Sequence, residues 1–206
     1  VMGSNGALGG EVSINGSTDG VDVKVAAISY GNNYYAFNSL AAAVDYAKNG
    51  ETVQLLRDVE IDADNTIKIS KDKTLVIDLN GFTVAGVSDQ VGANRNLFHV
   101  SGEVIVKNGK ITLKHEGTNM GWNNSTNIFH IEGPGVLNVL DAELENQGGS
   151  DMAFAVHLNN WGGDLGLNIE NSTLSSQYSE PLCYTNSTTI TLKNAHIIKS
   201  KSTLTA

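Results

Sequence analysis

The chain has 206 residues, 40% of them hydrophobic, enough to bury a continuous core, and one elongated domain is the expected organisation. With 13 basic against 22 acidic side chains its formal net charge is -9, which repels a polyanion and argues against nucleic acid as a partner. A single cysteine, Cys183, excludes an internal disulfide, and no apolar run reaches membrane-spanning length.

In chain order, residues 1–20 are rich in Gly, Ser and Asn and read as a flexible lead-in or the end of a preceding module. The opening Val1-Met2-Gly3-Ser4, in place of an initiator Met, reads as a trimmed leader or a tag remnant. Residues 21–65 read as an N-terminal cap. Val21 to Ile28 alternates like a strand, and Tyr30 to Tyr35 suits a hairpin around Gly31-Asn32-Asn33. A short amphipathic helix is expected over about 39–49. Asn38 or Ser39 is its N-cap, Leu40, Ala43, Val44 and Ala47 form its apolar face, and Asn49-Gly50 is its stop. Laid across the first strands, such a helix would cover unpaired backbone groups. Thr52 to Leu56 follows as a strand, and Asp62-Ala63-Asp64-Asn65 lacks the later glycine and glutamate of a calcium loop and reads as a turn.

From residue 66 the chain becomes strand, turn, strand, and one phrase recurs. Leu97-Phe98-His99-Val100, Ile128-Phe129-His130-Ile131, Ala155-Val156-His157-Leu158 and Leu182-Cys183-Tyr184-Thr185 each precede a second short strand and a turn. Asn80, Asn108, Asp141, Asn171 and Asn194 align at those turns, as residue types that tolerate left-handed backbone and bond to the turn of the neighbouring repeat. Beyond each turn, Ile111, Leu144, Leu174 and Ile197 form an inward column, while Lys110, Glu143, Thr173 and His196 alternate outward. Self-similarity of this kind predicts an all-β fold, a right-handed single-stranded parallel β-helix (a β-solenoid) with an N-terminal capping helix, its rungs filling 66–206. The last rung runs out without a second capping helix, so a further strand or a continuing polypeptide is expected to cover it.

Phe37-Asn38-Ser39-Leu40 through Gly50 to Val59, taken with Leu75-Val76-Ile77-Asp78-Leu79-Asn80-Gly81, resembles the cap and first rungs of right-handed β-helix proteins of the pectin-lyase-like superfamily, notably secreted or wall-attached proteins of gut bacteria. The resemblance spans about residues 26–200 and implies the fold and an extracellular or cell-surface location. It does not imply an activity, because that superfamily holds lyases, hydrolases, adhesins and binding modules alike. The lyase pattern of a rung arginine beside a calcium-binding acidic cluster finds no match, with arginine only at Arg57 and in the loop residue Arg95. The hydrolase strings Asn-Thr-Asp, Asp-Asp and Gly-His-Gly are absent. No catalytic residue is carried over.

Candidate chemistry centres on the column His99, His130, His157 and Tyr184, whose flanking apolar residues have the opposite parity and leave the rings facing out. Neighbouring rungs lie about 4.8 Å apart, so adjacent histidines could share a zinc ion whereas His99 and His157 could not; a metal is the least favoured reading of the column, and no metal or cofactor is expected. A plain side-chain ladder and a polar, ring-rich surface for sugars remain open. The connections entering these strands are long and carry Asp89, Arg95, Met120, Trp122 and Asp151, with Tyr178 before the fourth copy and Trp161 on the other side. Trp122, Tyr178 and Asp151 join the candidate site. Glu143 and Glu145 share a face at a spacing known in glycosidases, but Lys110 opposite Glu143 favours a cross-strand ion pair. Cys183 has core-facing parity in this alignment. The expected function is a non-catalytic extracellular or cell-surface module binding glycans or a partner surface. The alternative is a polysaccharide lyase or glycosidase, and the third reading is a structural stalk without a ligand.

Overall fold

A computed structural model describes residues 23–30, 33–88, 95–115, 125–149, 152–159, 163–184 and 188–200. The lead-in over 1–20 and the last six residues therefore lie outside the described part. The chain begins with β1 (Ala26–Tyr30), β2 (Asn33–Phe37), α1 (Leu40–Tyr46) and β3 (Thr52–Leu55). As expected, β1 and β2 form an antiparallel pair, with Tyr30 opposite Asn33.

The helix starts where its capping chemistry places it. Ser39 is extended and its hydroxyl accepts from Ala42 N at 3.1 Å, while Leu40, Ala43 and Val44 are buried. It ends three residues earlier than the expected Asn49. Ala47 is already extended at ψ 135°, and Lys73 Nζ from a later turn donates to the Val44 and Asp45 carbonyls. Asn49 is used elsewhere, its amide donating to Asp72 O and accepting from Thr74 N. A second correction concerns the cap. The open edge of β3 is satisfied by β1, which pairs with it antiparallel, while the helix adds Leu40, Ala43, Val44 and Ala47 to the apolar core.

Among the described residues fourteen further strands follow in three interleaved series. β4 (Val59–Asp62), β5 (Ile67–Ile69), β6 (Thr74–Asp78), β7 (Thr83–Ser88), β8 (Arg95–Val100) and β9 (Glu103–His115) come first. β10 (Thr126–Glu132), β11 (Val136–Asn146), β12 (Ala153–Asn159) and β13 (Leu165–Glu170) come next. β14 (Thr173–Ser176), β15 (Leu182–Tyr184), β16 (Thr188–Lys193) and β17 (His196–Lys199) complete the described chain. All of their pairings are parallel, each strand with its counterpart in the next repeat. One ladder runs β5-β8-β10-β12-β15 as a five-stranded sheet; a second runs β3-β6-β9-β11-β13-β16; a third runs β4-β7-β9-β11-β14-β17. The second and third belong to one 12-stranded sheet because β9 and β11 are long enough to serve both, and neither sheet closes on itself.

The bend within those long strands is made by the turn column. Asn80, Asn108, Asp141, Asn171 and Asn194 all have left-handed φ, between 49° and 61°. Their side chains bond along the stack. Asn108 Nδ2 donates to Asp78 Oδ1 at 3.1 Å, Asn171 Nδ2 to Asp141 Oδ1 at 3.2 Å, and Asn194 Nδ2 to Asn171 Oδ1 at 3.0 Å. One apolar core lies between the ladders, including the stacked Phe98 and Phe129 rings at 4.7 Å and the buried column Ile111, Leu144 and Leu174. Ile197 continues that column in β17, as do Leu192 in β16 and Tyr184 in β15 for theirs, and all three are exposed at the last repeat. Leu97, Ile128 and Ala155 are also fully buried, although parity with His99, His130 and His157 had set them outward. There the strands bend, so two successive residues face in: a Cβ on Gly86 would meet Leu97 at 3.0 Å.

Candidate functional site

The outer face of the five-stranded sheet carries the histidines in one column, in register from His99 to His130 to His157. Phe98, Val100, Phe129, Ile131, Val156 and Leu158 beside them are fully buried, so period-2 alternation turns the imidazoles away from the core. Lys68 precedes His99 in the same column, from the degenerate first copy Ile67-Lys68-Ile69.

The far end of the column differs from the expectation. Cys183, not Tyr184, lies opposite His157, and Tyr184 lies opposite Leu158. A slip of one residue exchanges the faces of a strand. This register sets Leu182 against Val156 and Tyr184 against Leu158, keeping the larger side chains on the core parity and giving the outward position to the small cysteine. Burial raises the Cys183 thiol above its ordinary pKa, which keeps it protonated at neutral pH. Tyr184 therefore leaves the strip.

Successive rings meet edge to face, His99 and His130 with centroids 5.4 Å apart and His130 and His157 4.9 Å apart. Glu132, two residues beyond His130 and on the same face, joins the first two. His99 Nε2 lies 3.2 Å from one carboxylate oxygen and His130 Nε2 3.1 Å from the other. Glu132 accepts from the His130 Nε2–H, so the neutral His130 ring presents Nδ1 as its acceptor. The His130 Nδ1 is buried and has no hydrogen-bond partner among the described residues. Burial lowers the His130 pKa, partly offset by Glu132, and burial with the neighbouring His130 lowers that of His157 to about 4. These two rings are neutral at pH 7. Exposure falls along the strip, from 35% for the Glu132 side chain and 27% for His99 to 12% for His130. The more exposed members of the strip are Lys68, Glu132 and His99.

Of the other candidates, Tyr178 is half-buried after β14, whereas Trp122 and Asp151 lie outside the described residues, as do Asp89, Met120 and Trp161. Arg95 is not in a loop. It opens β8 and its guanidinium pairs with Asp64, which also accepts from Ser88 Oγ at 2.9 Å. Lys110 holds Glu143 at 2.9 Å and Glu145 at 2.8 Å, the expected ion pair extended to a second carboxylate. The Asp62–Asn65 segment is a turn closed by Asp62 on Asp64 N and on the Asn65 amide. Among the described residues no group of three or more His, Cys, Asp or Glu side chains is placed to hold a metal ion.

Glu132 and Lys68 were missed by the sequence reading, though the signal existed. Glu132 follows His130 by the two residues that return a strand to the same face, and Lys68 sits where the next three copies have histidine. Compared with protein-family models, curated proteins and solved structures, the chain matches none. No helix among the described residues is long and apolar enough to cross a membrane.

Proposed function

We propose that the three parallel ladders wind as a right-handed single-stranded coil of the pectin-lyase-like type. On this reading the coil serves outside the cell or at its surface, binding glycans or a partner surface without catalysis. The handedness rests on the strong preference of parallel strand connections for the right-handed crossover, and the location on the family resemblance. The observation that carries the binding reading is the in-register polar strip of Lys68, His99, His130 and Glu132, which offers donors, acceptors and ring edges on a regular spacing. The carboxylates Glu143 and Glu145 are engaged by Lys110 on a different ladder, which speaks against the lyase or glycosidase alternative. The edge-to-face packing of the rings favours the third reading, a ladder that stiffens a stalk.

Retention on a panel of immobilised polysaccharides, with parallel assay of new reducing or unsaturated ends, separates the three. Binding without product, weakened at least about fivefold by His99→Ala or Glu132→Gln, is the expected result, a loss of about 1 kcal/mol. Product formation would establish the enzyme. Neither retention nor product would leave the stalk.

A further inference from the structure

A second, unrelated surface lies on the cap. The last residue of α1, Tyr46, leans over the β1–β2 hairpin, its ring 5.3 Å from Phe37 and 5.7 Å from Tyr35. Tyr35 stands opposite Ile28 in the hairpin, so both side chains share the face turned to the helix. Because the helix stops at Tyr46, the chain leaves in an extended direction and returns through Lys48 and Glu51, with Lys48 N donating to Glu51 Oε2 at 2.8 Å. Between these parts is an open cavity of about 110 Å³ lined by Ile28, Tyr35, Tyr46, Lys48 and Glu51.

Three properties set what fits. Two tyrosine rings flank the cavity beside the buried Ile28, and 44% of Tyr35 and 53% of Tyr46 remain exposed, so the rings do not close over the core as a seal would. The rim carries one residue of each charge, Lys48 and Glu51. The volume is well below the 300–1,000 Å³ or so of a pocket that engulfs a drug-sized ligand, and suits a single ring presented from outside.

We propose that this cap cavity binds the terminal residue of a neutral oligosaccharide. The C–H face of a pyranose packs on the tilted tyrosine rings, and its hydroxyls both donate to Glu51 and accept from Lys48. With one residue of each charge at the rim, a uronate or a quaternary ammonium meets one attracting and one repelling group, so charge gives neither class a net advantage. This site is carried by β1, β2 and α1 and stands whether or not the histidine strip binds anything.

The test is titration of the full chain with neutral cello-, malto- and galacto-oligosaccharides, with oligogalacturonate as the charged comparator, read by saturation-transfer NMR and calorimetry. A neutral sugar should bind. Tyr35→Ala and Tyr46→Ala should each weaken it about two- to tenfold, the range expected for one ring contact, while Tyr46→Phe leaves it unchanged. Glu51→Gln, which keeps an oxygen able to accept from Lys48 N, should also weaken binding, with its melting temperature measured alongside. Absence of binding by every neutral sugar, preference for oligogalacturonate, or tyrosine variants that lower only the melting temperature would overturn the proposal. Loss on His99→Ala with the cap variants intact would overturn it while sparing the strip.

Discussion

At the scale of single residues, position in the repeat decides ionisation and backbone strain. His157 is held to a pKa of about 4, against about 6.5 in an unfolded chain. The unfolded state therefore binds more protons between those values, so stability is complete above about pH 6.5 and is lost as pH falls toward 4. Thermal melts from pH 7.5 to 4 should show this decline, and His157→Gln should flatten it. The turn column gives a second expectation. Asn171 holds φ 49° and is bonded to Asp141 and Asn194, so Asn171→Ala should cost about 1–3 kcal/mol in urea melts. Asn171→Gly should recover the backbone share, about 1 kcal/mol. These turn residues were readable in advance, because few side chain types tolerate that conformation. Tyr184 was misplaced for the opposite reason: Leu182, Cys183 and Tyr184 can all be buried, and composition alone does not choose the register.

Among the elements, the contacts that order the repeats are made by backbone as much as by side chains. Gly102, between β8 and β9, lies over the Ser70–Lys73 turn of the preceding repeat, where a Cβ would fall 2.2 Å from two carbonyl oxygens. Gly102→Ala should therefore cost upwards of about 2 kcal/mol, whereas Gly149→Ala, with open space around it, should stay within about 0.5 kcal/mol. Denaturation of the two variants side by side checks the contrast. The helix start was legible from Ser39 and the apolar spacing; its end was not, since Lys73 closes it from a distant turn. Nor could local pattern show that β1 would pair antiparallel with β3. Asn146 is similar: its buried amide donates to Thr126 O and Phe154 O and fastens the end of β11 to two strands of the other sheet. Such bonds join residues that are neighbours only once the repeats have stacked.

For the whole molecule, stability should be graded along the stack. Among the described residues the middle repeats are paired on both sides, β9 with β6, β7 and β11, whereas β15, β16 and β17 stand last in their ladders and expose Tyr184, Leu192 and Ile197. Native-state hydrogen exchange should find β9 and β11 slowest and β16 and β17 fastest; uniform protection would contradict nearest-neighbour stacking. The period of the repeats made the parallel ladders legible, because each copy must bury the same face as the last. The candidate surface was less legible. Its histidines stood out as a column, but the carboxylate that organises them occurs in one copy only and so leaves no periodic trace.

One turn carries a consequence for the lifetime of the protein. Asparagine followed by glycine loses ammonia readily, when the glycine nitrogen attacks the side-chain amide. At Asn80-Gly81 both participants are occupied: Asn80 Nδ2 donates to Leu55 O at 3.2 Å, and Gly81 N donates to Asn108 O at 2.6 Å. Chemical ageing at this pair should be slow in the native protein and rapid after unfolding, so the mass of the peptide containing Asn80 becomes a clock for time spent unfolded.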